Sequence, residues 1–312
     1  MEALSNASVA ALIAFGWCAL AIRLGPLLGF VDAPDGVLKN HQRAAVPLGG
    51  VGLFLGIHTG LSVTGHLDPW LLIGTLVLVV TGLADDRFGL SPLIRLSVAT
   101  AAGAIMALGE RSLWWALALI VLVVLCVNAV NLIDGIDALA GSTAAITLAG
   151  MAVLAYRRGV PDWLLPVAGS ASMIGFLVWN RPPARVFLGD NGAYLTGSLL
   201  AYTSLIIARE PWEALIGVAL AGYPLFDLGV TVLRRLRSGL ALFAGDRDHT
   251  YDRLHRLAGW STGRVSAIIA LAQAFWVVVL ISVELLAGPG AGVGVAFGLG
   301  LPTIVWATGR RV

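Results

Sequence analysis

Long apolar runs follow one another along almost the whole of this sequence. There are eleven runs of roughly 16–23 residues, about the length that an α-helix needs to cross the hydrocarbon of a bilayer. The chain of 312 residues is 58% hydrophobic and only 12% charged, about half the charged fraction of an average soluble domain. The sequence predicts one all-α, integral-membrane domain, 1–312, with about eleven (or ten) transmembrane helices. The predicted spans are 4–24, 47–65, 69–84, 93–109, 112–130, 138–156, 162–179, 192–208, 212–234, 265–287 and 289–308.

The basic residues predict the orientation of these spans. If the N-terminus lies outside, sixteen of the 20 Lys and Arg residues fall on the cytoplasmic side, which is the side that favours them. The C-terminus is then cytoplasmic. Arg157 and Arg158 are a local exception on the outside. The cytoplasmic side also carries eleven aspartates and no glutamate, so all candidate chemistry faces one side.

The stretch Val127–Ser142 carries the most specific polar pattern. It follows an apolar run and presents Asn128, Asn131, Asp134 and Asp137. Unpaired carboxylates are costly in hydrocarbon, so these groups must face protein, water or a cation. Steps of three keep neighbouring polar groups within reach at a helix end. We expect a polar cup at a membrane edge, and the alternative is a structural knot of hydrogen bonds.

Two further acidic motifs lie at predicted span ends. Asp85 and Asp86 close the third span, and their mutual repulsion suits a metal ligand or a general base, although pairing with arginine would also explain them. Asp190 lies in Gly189–Gly192, just before a helix. The free N–H groups at a helix start favour phosphate oxygens, so we expect phosphate there, the alternative for Asp190 being a simple helix cap.

Basic residues concentrate in two cytoplasmic loops. The first loop supplies Lys39 and His41, which either hold phosphate or rest on anionic lipid headgroups. The loop 234–264 is the longest and predicts an amphipathic helix. One face of that helix is charged and would clamp a diphosphate or lie in solvent. The candidate residues of this loop are Arg247, His249, Asp252 and Arg253. Asp227, within the ninth span, is as consistent with a structural pairing as with catalysis.

Taken in order, these motifs resemble the polyprenyl-phosphate N-acetylhexosamine-1-phosphate transferase superfamily. The resemblance covers the Lys-His loop before Gly49–Gly50, the Asp85–Asp86 pair, the segment NAVNLIDGIDALA, the segment NRPPARVFLGDNG and the last loop with its histidine. The arginine-rich stretch after the ninth span is more similar to the N-acetylglucosamine branch than to the muramoyl-pentapeptide branch.

The resemblance implies roles for individual residues. It implies that Asp190, with Asp134, binds Mg²⁺ (or Mn²⁺ in its place), and that Asp85 and Asp86 activate the lipid phosphate, with Asp85 as the expected proton acceptor. It also makes Asp134 and His249 catalytic. The implied substrate-binding residues are Lys39, His41, Asn128, Asn131, Asp137, Asn180, Phe187, Arg247, Asp252 and Arg253.

The implied reaction is transfer of a HexNAc-1-phosphate from a UDP-sugar to polyprenyl phosphate, with release of UMP, at the cytoplasmic face of the inner membrane. The expected partners are the UDP-sugar, the polyprenyl phosphate and membrane lipids, with no nucleic acid; a homodimer is left open. The alternatives are a phospho-MurNAc-pentapeptide transferase and a cation-coupled solute transporter. A transporter would place its ionisable residues near the bilayer midplane rather than at span ends. A CDP-alcohol phosphotransferase would need a denser aspartate motif than Asp134–Asp137 supplies.

Overall fold

The fold is all-α, as predicted. The computed structural model describes residues 1–32, 44–110, 112–208, 210, 213–241, 248–288 and 290–309, and of the side chains in 301–309 only that of Thr303. In these residues thirteen α-helices and one 3₁₀ turn are found, and no β-strand. The helices are α1 Glu2–Leu28, α2 Gly49–Val63, α3 Pro69–Phe88, α4 Pro92–Met106, α5 Leu113–Ile133, α6 Leu139–Arg158, α7 Leu164–Asn180, α8 Gly189–Ile206, α9 Ala214–Leu220, α10 Gly222–Arg237, α11 Thr250–Ala258, α12 Thr262–Ala287 and α13 Ala291–Gly309.

Each predicted span coincides with a helix or, in one case, with a pair of helices. In the described part of the chain, five helices are long and apolar enough to cross a membrane on their own: α1, α4 with the 3₁₀ turn that follows it, α5, α6 and α12. A sixth span results if α9 and α10 are counted together, and three shorter apolar helices lie in α2, α7 and α13. The chain is therefore an integral membrane protein.

The ninth predicted span is not one straight helix. α9 and α10 meet at an angle of 84°. A break in hydrocarbon leaves backbone groups that need partners, and the buried side chain of Gln273 from α12 supplies them. Its Oε1 accepts from the Tyr223 N–H at 2.9 Å, and its Nε2 donates to the Leu220 carbonyl at 2.7 Å. Apolar periodicity could not reveal this bend, because the residue that satisfies its free backbone groups lies about 50 positions away.

The helix α8 lies at the centre of the bundle, and nearly all its side chains are buried. It packs against α2, α3 and α5 through glycines that leave no room for a side chain. A Cβ added to Gly50 would lie 2.2 Å from the Gly192 nitrogen, and one added to Gly82 would lie 2.3 Å from the Asn191 nitrogen. Small residues at helix crossings let backbones approach closely in membranes. This approach brings the end of α3 against the start of α8.

A buried ionic cluster explains one of the basic residues predicted to lie outside. Arg158, at the end of α6, forms ion pairs with Glu213 at 3.0 Å and with Glu284 at 2.6 Å. It also donates to the Ile207 carbonyl at 2.7 Å. All three charged side chains are buried. The positive charge is therefore neutralised within the protein, and it ties α6 to α12.

Candidate active site

An open cavity of about 1060 Å³ lies where several helices start or end. α1, α3, α5 and α7 end at this cavity, whereas α6, α8 and α12 begin there. This alternation is that of antiparallel neighbours, so the cavity lies at one end of the bundle. Among the described residues, seven aspartates line it: Asp32, Asp85, Asp86, Asp134, Asp137, Asp190 and Asp252. The structure thus brings together the acidic residues that the sequence singled out in four separate segments.

Asp85 is fully engaged by neighbouring donors. Its carboxylate forms a bidentate ion pair with Arg95, with N–O distances of 2.7 and 2.8 Å. It also accepts from the Tyr194 hydroxyl and, at 2.7 Å, from the Leu90 N–H. A general base needs a lone pair directed at its substrate. The structure therefore gives Asp85 a positioning role, and the proton-acceptor role expected from sequence stays a prediction that this geometry does not favour.

The Asp86 side chain, on α3, binds the first residues of α8. Its Oδ1 accepts from the Asp190 N–H at 2.9 Å, and its Oδ2 accepts from the Asn191 side chain at 2.7 Å and from the Asn191 N–H at 3.3 Å. We expected these helix N–H groups to face substrate phosphate. A carboxylate from α3 takes that place instead, and the consequence is that Asp86 and Asp190 lie side by side.

Asp190 and Asp134 form the acidic centre of the cavity. The Asn131 side chain, on the last turn of α5, donates to Asp190 Oδ1 at 2.5 Å. Asp134 follows α5 in the turn to α6 and lies against the Gly189 N–H. Burial, together with the charges of Asp190, Asp86 and Asp137, raises the pKa of Asp134 to about 8. A cation close to this turn would therefore stabilise the ionised form of Asp134.

Asp137 and Asn180 tie together the two connections that frame the cavity. Asp137 accepts from the Ala184 N–H at 3.0 Å. Asn180 accepts from the Ala138 N–H and donates to the Val186 carbonyl, both at 2.9 Å. Both residues line the cavity, as does Phe187. Because both ends of the Asn180 amide are occupied by backbone groups, its clearest function is to shape the cavity wall.

Three of the predicted site residues, Asn128, His249 and Arg253, do not line the cavity. Asn128 donates to the Val124 carbonyl of its own helix at 2.8 Å and does not line the cavity. His249 is buried behind the wall, with its Nδ1 at 2.7 Å from the Asp227 carboxylate. Arg253 pairs with Asp248 at 2.7 Å. Asp252 does line the cavity and caps α11. The predicted residues Lys39, His41 and Arg247 lie outside the described residues.

Sequence reasoning missed several residues of the cavity wall. Tyr251 and His255 on α11 line the cavity, and so does Arg87, whose Nη1 donates to the Leu28 carbonyl at 2.9 Å. Tyr251 lies next in sequence to the predicted residue Asp252, which lines the cavity as well. The start of α12, Ser261–Gly263, also contributes to the wall. No motif in the sequence indicates a role for these last residues.

The donor set fits a hard divalent cation. Carboxylate oxygens are the ligands that Mg²⁺ and Mn²⁺ prefer. No group of three or more His, Cys, Asp or Glu side chains in the described part of the chain has the geometry of a complete metal site. Mg²⁺ does not need one, because it usually keeps several waters and binds through one or two carboxylates together with substrate phosphates. Asp190 and Asp134, at the acidic centre of the cavity, would supply such carboxylates.

Fold and cavity together define the class: an integral-membrane protein with a carboxylate-lined site at one end of its helix bundle. Residues 69–208 match glycosyl transferase family 4. A probable undecaprenyl-phosphate N-acetylglucosaminyl 1-phosphate transferase of Bacillus subtilis is 30% identical over 256 residues, which cover 74% of this chain and 71% of the relative. The chain belongs to glycosyl transferase family 4.

Other relatives agree with this membership. An undecaprenyl-phosphate alpha-N-acetylglucosaminyl 1-phosphate transferase of Thermotoga maritima is 30% identical over 241 residues, covering 75% of this chain and 76% of the relative. A decaprenyl-phosphate N-acetylglucosaminephosphotransferase of Mycobacterium leprae is 28% identical over 284 residues, covering 74% and 71%. The resemblance inferred from the motifs is therefore confirmed.

Proposed function

We propose that this protein transfers N-acetylglucosamine 1-phosphate, or a related HexNAc 1-phosphate, from a UDP-sugar to a polyprenyl phosphate and releases UMP. The printed names of the relatives support both the sugar phosphate and the lipid acceptor. The single observation that carries the proposal is that carboxylates from α3, the turn after α5 and the start of α8 face one cavity at the bundle end. A membrane-embedded acceptor and a water-soluble donor can meet only at such an edge.

An oxygen of the lipid phosphate attacks the β-phosphorus of the donor, and the bond between that phosphorus and the UMP oxygen breaks. Phosphoryl transfer needs positioning and neutralisation of charge more than covalent help from the protein. Mg²⁺ bound by Asp190 and Asp134 would supply that neutralisation. Asp86 fixes the start of α8 and Asn131 orients Asp190 through its hydrogen bond. Asp137 holds the wall beside the donor.

The same proposal includes the place and orientation of the chain. The site faces the cytoplasm from the inner membrane, where UDP-sugars are available, with the N-terminus outside, the C-terminus inside and eleven spans. The excess of Lys and Arg on the proposed cytoplasmic side supports this orientation. The alternation of helix ends at the cavity supports it too, since an odd number of spans precedes each loop that reaches the site.

Purified protein in detergent or nanodiscs tests the reaction directly. UMP is measured with UDP-GlcNAc, UDP-GalNAc or UDP-MurNAc-pentapeptide as donor, with undecaprenyl phosphate as acceptor and with Mg²⁺ or EDTA. We expect UMP with UDP-GlcNAc, dependence on the lipid and loss in EDTA. UMP only from the muramoyl-pentapeptide donor would assign the chain to the other branch. No UMP from any donor, together with solute uptake into vesicles, would overturn the enzyme assignment.

A further inference from the structure

Asp227 is a fully buried carboxylate in α10, and the hydrogen bonds that it accepts come from another segment. Its Oδ2 lies 2.7 Å from His249 Nδ1. Its Oδ1 accepts from the Thr250 N–H at 2.8 Å and from the Thr250 hydroxyl at 2.5 Å. A buried carboxylate is stable only when it is well paired, so these donors compensate for its burial.

These donors come from the N-cap and the first residue of α11. The start of this helix is also closed by a capping box, in which the His249 N–H donates to Asp252 at 3.3 Å. A negative charge near a helix N-terminus is favourable, because the free N–H groups there carry partial positive charge. Tyr223, one turn before Asp227 on α10, adds a contact of 2.8 Å between its hydroxyl and that of Thr250. α10 therefore fixes where α11 begins.

The position of α11 determines one wall of the cavity. The ring of Tyr251 lies parallel to that of His249, with centroids 5.5 Å apart. The Tyr251 hydroxyl donates to the Leu132 carbonyl at 3.4 Å, and a Cβ on Gly135 would collide with it. Tyr251 thus reaches the turn that carries Asp134. A shift of α11 would move this wall relative to the acidic centre.

The same contact selects the proton position on His249. A carboxylate next to Nδ1 requires a proton on that nitrogen, which therefore donates to Asp227. The Thr231 hydroxyl also lies 3.3 Å from Nδ1.

We propose that Asp227 is a positioning residue for the transfer reaction: by binding His249 and Thr250 it holds α11, and with it Tyr251, against the turn after α5. This inference rests on the proposed function. A second explanation is that the buried pairing only stabilises the α10–α11 connection, and the experiment separates the two.

Two variants weaken the contacts of Asp227 with the start of α11 to different degrees. Asp227→Asn keeps the shape but removes the charge and one acceptor, and Thr250→Val removes the hydroxyl that donates to Asp227 and contacts Tyr223. The matched control is Ser204→Ala, which deletes a buried hydroxyl that, among the described residues, bonds within its own helix, to the Leu200 carbonyl. For each variant, hydrogen exchange is followed over 249–258 and over 189–206, and kcat and KM are measured for UDP-GlcNAc.

We expect Asp227→Asn to speed exchange over 249–258, to leave exchange over 189–206 unchanged, and to lower kcat/KM on the order of 100-fold, which is typical of misplaced site residues. Thr250→Val should also speed exchange over 249–258, and it should lower kcat/KM by roughly 10-fold. Replacing His249 with Gln as well should add little to Asp227→Asn, since residues that act as a unit are not additive.

Unchanged exchange over 249–258 in both variants would overturn the proposal. So would faster exchange with unchanged kcat/KM, because the position of α11 would then not matter. If Asp227→Asn does not fold, Thr250→Val alone decides between these outcomes. Absence of UMP from the wild-type protein would refute the proposed function, while the exchange data would still judge whether Asp227 anchors α11.

Discussion

Replacing Gly82 with Ala should damage the active site without touching any of its polar groups. Gly82 lies on α3, one turn before Asp86. A Cβ there would be 2.3 Å from both the nitrogen and the Cα of Asn191, and these are backbone atoms that cannot rotate away. Ordinary contact begins near 3.4 Å. To reach ordinary contact, the helices α3 and α8 must separate by about 3.4 − 2.3 = 1.1 Å.

That separation is enough to break the contact that organises the site. The distance between Asp86 Oδ1 and the Asp190 nitrogen is 2.9 Å, and it would reach about 4 Å if the helices moved straight apart, which is beyond a hydrogen bond. A displacement of about 1 Å at a reacting centre costs on the order of 100-fold in rate, or about 2.7 kcal/mol of transition-state stabilisation. We expect kcat/KM for UMP release to fall by that factor.

Two glycine variants serve as controls. Gly16→Ala, on α1, places its Cβ in open space and should leave both stability and activity unchanged. Gly74→Ala, on α3 itself, meets chiefly the flexible side chain of Met106, so it should lower the melting temperature while keeping kcat/KM. A Gly82→Ala enzyme with more than half the wild-type kcat/KM would refute the reasoning that close helix approach sets the site.

Three further predictions concern the acidic centre. Asp190→Asn should abolish UMP release while the protein still accumulates in membranes, as activity and immunoblots of membrane fractions would show. Asn131→Ala removes the 2.5 Å hydrogen bond to Asp190, so the Mg²⁺ concentration for half-maximal rate should rise roughly 10- to 100-fold, the usual cost of losing a ligand-orienting partner. Since the pKa of Asp134 is raised to about 8, a proton competes with the cation below that pH, and the half-saturating Mg²⁺ concentration should fall as pH rises from 6.5 to 8.5.

Each of these expectations has a clear contrary result. Full turnover by Asp190→Asn would remove that residue from the metal site. An unchanged Mg²⁺ requirement in Asn131→Ala would mean that the hydrogen bond does not orient the ligand. A Mg²⁺ requirement that is flat, or that grows with pH, would show that Asp134 does not exchange a proton for the cation.

The positions of the acidic residues could be predicted because hydrocarbon tolerates so few charges. The chain is only 12% charged, so Asp134, Asp190 and the Asp85–Asp86 pair stand out. A carboxylate at a span end must face protein, water or a cation rather than hydrocarbon. Which partners each of these aspartates contacts could not be predicted. Asp85 is saturated by Arg95 and Tyr194, and the second of these lies 109 residues away. Adjacent carboxylates in the sequence thus have different tasks in space.

Helical periodicity gives the faces of a helix but not what each face meets. The pattern of 249–258 predicts a charged face, yet Asp252 from that face and its neighbour Tyr251 both line the cavity. What α11 meets depends on Asp227 from α10, which binds the first residue of α11. The bend between α9 and α10 escaped prediction for the same reason, since it depends on Gln273 from a distant helix. Contacts between remote segments are what the sequence alone does not supply.

Binding of Mn²⁺ to the purified protein, followed by electron paramagnetic resonance without any substrate, tests the central claim most directly. We predict that one Mn²⁺ binds per chain and that Mg²⁺ displaces it. The affinity for Mn²⁺ should fall at least tenfold in Asp190→Asn and in Asp134→Asn, about the cost of removing a direct interaction with the ion. It should be unchanged in Asp248→Asn, whose carboxylate pairs with Arg253 and Arg256 away from the cavity. Equal Mn²⁺ affinity in all four proteins would contradict a cation site built from these carboxylates.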